Sequence, residues 1–223
     1  MNNILKDFRS FALDKTKVRP SVLDDQIRNV NNSVTPIILE ERKLNVTGMD
    51  VYSRMLLDRL IFFQGVVDDE SCNTVIAQML YLSSINSESD ISLYLNTPGG
   101  DVVSGLSLVD TMKFIKPKVS TTCLGMAASM GAIILSCGEK GKRMILQHGR
   151  VMVHQVSGGF KGTTKDAEIE YEQMTRCKKD IYTILSENTG KSYEEIESLC
   201  DRDHWYIGKE AVEDLHICDK VLG

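Results

Sequence analysis

Nowhere in the 223 residues do eighteen apolar side chains run together, so the sequence offers no membrane-spanning helix of the ordinary kind. Basic charge is not in excess either. The 26 Lys and Arg are set against 31 Asp and Glu, giving a net charge of −5, and the two signs are interspersed, which argues against a nucleic-acid binder. The six cysteines (Cys72, Cys123, Cys137, Cys177, Cys200 and Cys218) form no CxxC pair and no Cys/His cluster of zinc spacing. They read as reduced thiols of a cytoplasmic protein, with no metal and no cofactor expected. Met1 to Pro20 lacks an apolar core of secretory-signal length. "TGKS", Thr189 to Ser192, has the end of a phosphate-binding loop without its beginning, because Leu185 stands where that loop needs glycine.

What remains is 42% hydrophobic residues, enough to bury a core of one large domain. Residues 1–35 mix charge and Asn without periodicity and read as a flexible leader or removable propeptide. From Val51 the pattern becomes regular. A helix over "DVYSRMLLDRL" and a strand "IFFQG" precede a helix from about Asp69 to Leu82 and a strand "ISLYLNTPGG". A helix from about Val102 to Ile115 stops before Pro117, as proline requires, and a strand "VSTTCLG" follows. A helix opened by Ser129 and two short strands, "RMILQ" and "RVMVHQ", complete the series. The alternation predicts an α/β fold of parallel strands joined by crossover helices. A long helix is expected over Thr164–Thr189, closed by Gly190, with only a loose apolar stripe (Ile169, Met174, Cys177, Ile181, Ile184, Leu185). "SYEE" then forms a capping box from Ser192 to Glu195.

Four histidines are available as a catalytic base: His148, His154, His204 and His216. His154 stands at the tip of the alternating strand "RVMVH". Ser129, in "GMAASMG", occupies a strand-to-helix turn among small residues, where a serine can be a packing residue or a nucleophile. The functional reading has a physical basis, since free N–H groups at a helix start favour the oxyanion of acyl transfer. The turn is not the G-x-S-x-G elbow, because Ala127 lies two before the serine. A second glycine-lined turn, Gly99-Gly100, also follows a strand.

"LYLNTPGGDVVSGLSLVDTMKFIKP", "GMAASMGAIILSCGEKGKR", "RVMVHQVSGG" and "CDRDHWYIGKEAVEDLHICDKV" together resemble the ClpP family, the proteolytic subunits of the Clp ATP-dependent protease, in order and spacing over about Pro36 to Val221. The resemblance implies a ClpP/crotonase-like spiral of repeated β-α units with a projecting handle helix, in one peptidase domain over 36–223. It implies a serine endopeptidase with Ser129 as nucleophile, His154 as general base and Asp203 as the acid that orients it. Gly100 and Met130 would supply the oxyanion-hole N–H groups. An axial loop is implied at about 36–50 and a handle at about 156–190, with residues near Val156 to Phe160 holding substrate in extended form.

By the same resemblance Asp201 and Arg202 bridge two stacked heptameric rings, and Tyr94 and Phe114 dock an AAA+ unfoldase of the ClpX, ClpA or ClpC type that delivers unfolded protein substrates. Nucleic acid and membrane are not expected partners. The chain departs from the family pattern at Ser92, where an aromatic is common, at Asp101, where an apolar residue is usual, and at Val156, which replaces a proline. Two rival readings share the fold. Crotonases use two backbone N–H groups without an acylated serine, and some ring subunits are inactive.

Overall fold

The structure, a computed structural model, describes residues 37–42, 45–159 and 162–223. The leader expected over 1–35 and Phe160 lie outside the described residues. The chain divides into two compact units, the first ending at Asp58 and the second running from Arg59 to Gly223. In the first, β1 (Ile37–Arg42) pairs antiparallel with β2 (Asn45–Asp50), so the segment expected as an axial loop is a two-stranded ribbon. The helix α1 (Val51–Leu57) follows, its first turn capped by the Asp50 carboxylate, which accepts the Ser53 N–H at 3.0 Å. It ends earlier than the sequence pattern implied because Arg59 takes a left-handed φ of 64°.

The second unit alternates strand and helix. Its elements are β3 (Leu60–Gln64), α2 (Asp69–Ile85), β4 (Ile91–Thr97), α3 (Val102–Phe114), β5 (Val119–Ala128), α4 (Met130–Ser136), β6 (Arg143–Leu146) and β7 (Arg150–Val153). The long helix α5 (Thr164–Thr189), α6 (Tyr193–Leu199), β8 (His204–Ile207), α7 (Lys209–Glu213) and β9 (Lys220–Leu222) complete it. Strands β3, β4, β5, β6 and β9 pair parallel in that order, as crossover connections demand. β5 is longer than its apolar core suggested and takes two successive neighbours, β6 along Thr121–Cys123 and β7 along Met126–Ala128. β8 runs antiparallel to β7.

Apolar side chains account for these elements. Ile91, Leu93 and Leu95 turn one face of β4 into the core, and the whole of α4 is buried, as a helix covered on every side must be. Side-chain caps set the helix starts: Asp68 for α2, Thr163 for α5 and Ser192 for α6 each complete a reciprocal capping box. α5 is a different case from α4. Only Ile181, Tyr182, Leu185 and Thr189 are buried, all near its C-terminal end, while Ile169 and Tyr171 face solvent. The expected apolar stripe is therefore in use over the last third of the helix.

One buried ion pair joins three distant segments. Arg143, at the start of β6, donates through Nη2 to Asp219 Oδ1 at 2.6 Å, through Nε to Asp219 Oδ2 at 3.0 Å and through Nη1 to the Asn188 carbonyl of α5 at 2.7 Å. Asp219 also accepts the Gly141 and Arg143 backbone N–H groups. Burial opposes the Asp219 charge, but the hydrogen bonds and charge of Arg143 more than offset it and hold the carboxyl below its ordinary value.

Because the pair is largely buried, with only 5% of the Arg143 side chain exposed, removing one partner strands the other. Asp219→Ala is expected to lower stability by roughly 3–5 kcal/mol, read by denaturant unfolding. A lowered folded-state pKa means that the stabilisation is complete above the unfolded value of about 3.9 and is lost as pH falls through the folded one. The acid limb of a stability-against-pH curve should accordingly be shallower in Asp219→Asn than in the parent chain.

Candidate active site

The site is built where β5 ends. The Ser129 N–H continues the β5–β7 ladder by donating to the Met152 carbonyl at 2.8 Å, and the Ser129 carbonyl accepts the Ala132 N–H at 2.9 Å inside the first turn of α4. Extended strand must become helix within one residue. Ser129 makes that turn with φ 54° and ψ −122°, a conformation that L-residues rarely adopt and that costs on the order of 1–3 kcal/mol. The turn lifts the hydroxyl off the sheet edge. A strained non-glycine backbone at this position favours the nucleophile reading over simple packing.

His154 follows β7 directly. The β7–β8 register pairs Val153 with His204, so one further step sets His154 opposite Asp203. The result is a linear arrangement: His154 Nε2 lies 2.8 Å from Ser129 Oγ, and His154 Nδ1 lies 3.3 Å from Asp203 Oδ1. With Nδ1–H directed at the carboxylate, Nε2 is left as the acceptor for the serine proton. The Asp203 side chain is 65% exposed and the contact is longer than the usual charged hydrogen bond of about 2.7–2.9 Å. Three residues predicted from separate parts of the sequence are brought together.

The Gly99-Gly100 turn comes up beside the serine. A Cβ on Gly99 would lie 2.5 Å from the Ala128 carbonyl and 2.6 Å from Ser129 Cβ, and φ there is +90°. Gly100, at φ +154°, forms a parallel bridge with Val67, in which Val67 donates to the Gly99 carbonyl and Asp101 to the Val67 carbonyl. This pattern turns the Gly100 N–H away from Val67. The Met130 N–H, at the first position of α4, has no carbonyl four residues back. Both groups border the same cleft as Ser129 and His154, whose apolar wall comes from Val102, Ile133, Ile181 and Leu185. Ser129, His154, Gly100, Met130 and an apolar wall share one cleft.

Cysteine does not compete for the nucleophile's role there. Burial pushes Cys72, Cys123 and Cys200 up to about 11, and raises Cys137 and Cys218 as well, which keeps these thiols protonated. No group of three or more His, Cys, Asp or Glu side chains suited to a metal ion occurs among the described residues.

Of the other predicted residues, Val156 lines the cleft, whereas Asp201, Arg202, Tyr94 and Phe114 do not. Asp201 and Arg202 are exposed and 3.8 Å apart, and the Asp201 carbonyl accepts from Gln155 at 3.0 Å. Tyr94 is half-buried and stacks on Phe62 with ring centroids 5.1 Å apart, whereas Phe114 is 81% exposed at the end of α3. Residues 154–159 form no strand, so the expected extended segment is not a sheet element by itself. Sequence reasoning missed Thr97, whose buried hydroxyl accepts the Gly99 N–H at 3.0 Å, and the part of Asp101, which caps α3. An aspartate three residues before Ser104, after a glycine pair, was the available sign of that cap.

A family model described as Clp protease matches residues 42–223. Among curated proteins, the chain is 46% identical over 218 residues to an ATP-dependent Clp protease proteolytic subunit of Bacteroides fragilis (strain YCH46), covering 98% of this chain and 99% of that one. It is 44% identical over 218 residues to the protein of the same description in Porphyromonas gingivalis, covering 98% of each. The counterpart in Bacteroides thetaiotaomicron is 45% identical over 218 residues, covering 98% of this chain and 99% of that one.

The tight seat of Gly99 supplies a direct check on the geometry. Gly99→Ala must push the turn away from Ser129 whatever rotamer the neighbours adopt, because two of the clashing atoms are Ala128 O and Ser129 Cβ. Labelling of Ser129 by a fluorophosphonate, followed by peptide mapping, should slow by about a hundredfold or more, comparable to the loss of an oxyanion donor.

Proposed function

The chain belongs to the Clp protease family and is a serine peptidase of it, and from that premise we propose that Ser129, His154 and Asp203 form its catalytic triad. The observation that carries this reading is the 2.8 Å contact between His154 Nε2 and the hydroxyl of a serine held in a strained turn. His154 Nε2 takes the Ser129 proton as Oγ attacks the scissile carbonyl. Asp203 fixes the ring tautomer and stabilises the imidazolium that forms. The tetrahedral oxyanion is received by the N–H groups of Gly100 and Met130, each worth on the order of a hundred- to a thousandfold in rate. Collapse expels the amine, which takes its proton from His154, and water activated by the same ring releases the acyl group from Ser129.

The apolar wall of Val102, Ile133, Ile181 and Leu185 offers no charge partner to substrate, which suits hydrophobic side chains next to the scissile bond. The described relatives are named as ATP-dependent proteolytic subunits. We extend that description to this chain: a homo-oligomer of two stacked heptameric rings in the cytoplasm, fed unfolded polypeptide by an AAA+ unfoldase of the ClpX, ClpA or ClpC type. Supporting features are the uncovered apolar residues Ile169 and Tyr171 on the handle α5, the exposed Phe114 at the end of α3, and the exposed Asp201–Arg202 pair. No helix among the described residues is long and apolar enough to cross a membrane. The sequence contains no complete phosphate-binding loop, so nucleotide hydrolysis must come from the partner.

Ser129→Ala is expected to abolish hydrolysis of a short fluorogenic peptide while the assembly still elutes at parent size. Loss of a triad nucleophile costs on the order of a millionfold, whereas the hydroxyl contributes little volume. Retention of more than a few per cent of turnover would refute the assignment, and unlabelled Ser129 would favour crotonase-like chemistry instead. Short peptides should be cleaved without ATP, and a stable folded protein only with ATP and the unfoldase. Tyr94→Ala and Phe114→Ala should impair degradation of the folded protein more than cleavage of the peptide, since apolar anchors carry much of a docking energy.

A further inference from the structure

Behind the Gly99-Gly100 turn, two carboxylates converge on one buried hydroxyl. Ser104 is 5% exposed, and its Oγ lies 2.6 Å from Asp69 Oδ1 and 2.8 Å from Asp101 Oδ1. Asp101 Oδ1 also accepts the Ser104 N–H at 2.7 Å. The hydroxyl hydrogen can point at one oxygen at a time, and both aspartates face solvent, so the carboxylate not served keeps its hydration. Asp101 acts within its own helix as a cap. Asp69 does not. It is the first residue of α2, 35 positions away from Ser104, and its contact ties the β3–α2 junction to the first turn of α3.

The same two segments are joined by backbone. Val67 N–H donates to the Gly99 carbonyl at 2.9 Å, and Asp101 N–H donates to the Val67 carbonyl at 2.7 Å. The Gly99 carbonyl and the Gly100 N–H are opposite edges of one planar trans peptide. Fixing the carbonyl on Val67 therefore fixes the direction of the N–H. If the junction drifts from α3, the Val67–Gly99 bond lengthens and the peptide plane, flanked by two glycines, is free to rotate. The turn's other bonds, Gly99 N–H to Thr97 Oγ and Asp101 N–H to the Val67 carbonyl, hold the peptides on either side of this one.

We propose that Asp69 and Ser104 are positioning residues for the peptidase reaction: their hydrogen bond holds the β3–α2 junction against α3 so that the Gly100 N–H stays aimed into the cleft. The proposal rests on the reading of Gly100 as an oxyanion donor. It predicts a loss confined to the chemical step, because a donor that matters most in the transition state lowers kcat and leaves substrate binding alone.

The test uses the full chain and the variants Ser104→Ala, Asp69→Ala, Asp69→Asn and the double variant Ser104→Ala with Asp69→Ala. Measured are kcat and KM on a short fluorogenic peptide, the rate of fluorophosphonate labelling at Ser129 and the thermal midpoint. Ser104→Ala and Asp69→Ala should each lower kcat and the labelling rate about tenfold, a fraction of the hundred- to thousandfold effect of deleting a donor. KM should stay within about twofold. Asp69→Asn keeps the accepting oxygen and should restore most of the rate, and the double variant should be no slower than either single one, as expected for two ends of one interaction. Unchanged kcat in the two alanine variants, an Asn variant as slow as the Ala variant, or losses that follow a fallen thermal midpoint would each overturn the proposal. A parent chain that does not label at Ser129 would instead refute the reading of the site on which it rests.

Discussion

The backbone of Ser129 turns in a direction that its Cβ disfavours, and most of the surrounding structure serves to hold it there. β5 brings the chain in along the sheet, α4 takes it away into the core, and no relaxed conformation of a single residue joins the two. The helix is buried along its whole length, so the favourable transfer of its apolar side chains opposes any unwinding that would relieve the turn. Met130 is held from its side chain as well, because Gly105 of α3 lies where any larger residue would collide with Met130 Cγ. Strain of a few kcal/mol is small beside that burial. A hydroxyl and an amide thus come to face the same cleft without either being free to turn.

His154 and Asp203 reach Ser129 by sheet pairing. β7 is parallel to β5 and antiparallel to β8, so it presents His154 to Ser129 on one flank and to Asp203 on the other. Register performs the alignment, and a slip of one residue would send the imidazole to the opposite face. The two contacts are unequal. The serine side is short and part-buried, while the carboxylate side is open to water. In this chain the geometry is therefore tightest at the contact through which the proposed mechanism first moves a proton.

Much of this was legible in the sequence, and the limits have physical causes. The parallel strands, the span of α5 and the cap at Ser192 depend on local periodicity and local hydrogen bonding, which sequence displays directly. Ser129 and His154 stood out as residues of the right type at strand tips, but composition did not lift them above packing residues, and Asp203 was named only through a family resemblance. Their convergence is a matter of register between segments some fifty residues apart. The left-handed Ser129 was not readable at all, since nothing in "AASMG" announces a positive φ at a serine. Asp69 and Ser104 likewise carry no joint signal across 35 positions. The early end of α1 was missed because apolar residues continue past Leu57 in helical spacing while Arg59 reverses the chain.

The uneven burial of α5 gives the helix two unlike ends. Its 26 residues form a rod of about 39 Å at the usual rise, clamped at one end by Ile181, Tyr182 and Leu185 and mostly exposed along the rest. Ile181 and Leu185 also line the cleft. One continuous helix therefore joins the exposed arm to a wall of the cleft. Whatever covers the exposed arm is thereby continuous, through the hydrogen bonds of a single helix, with side chains that border the same cleft as Ser129.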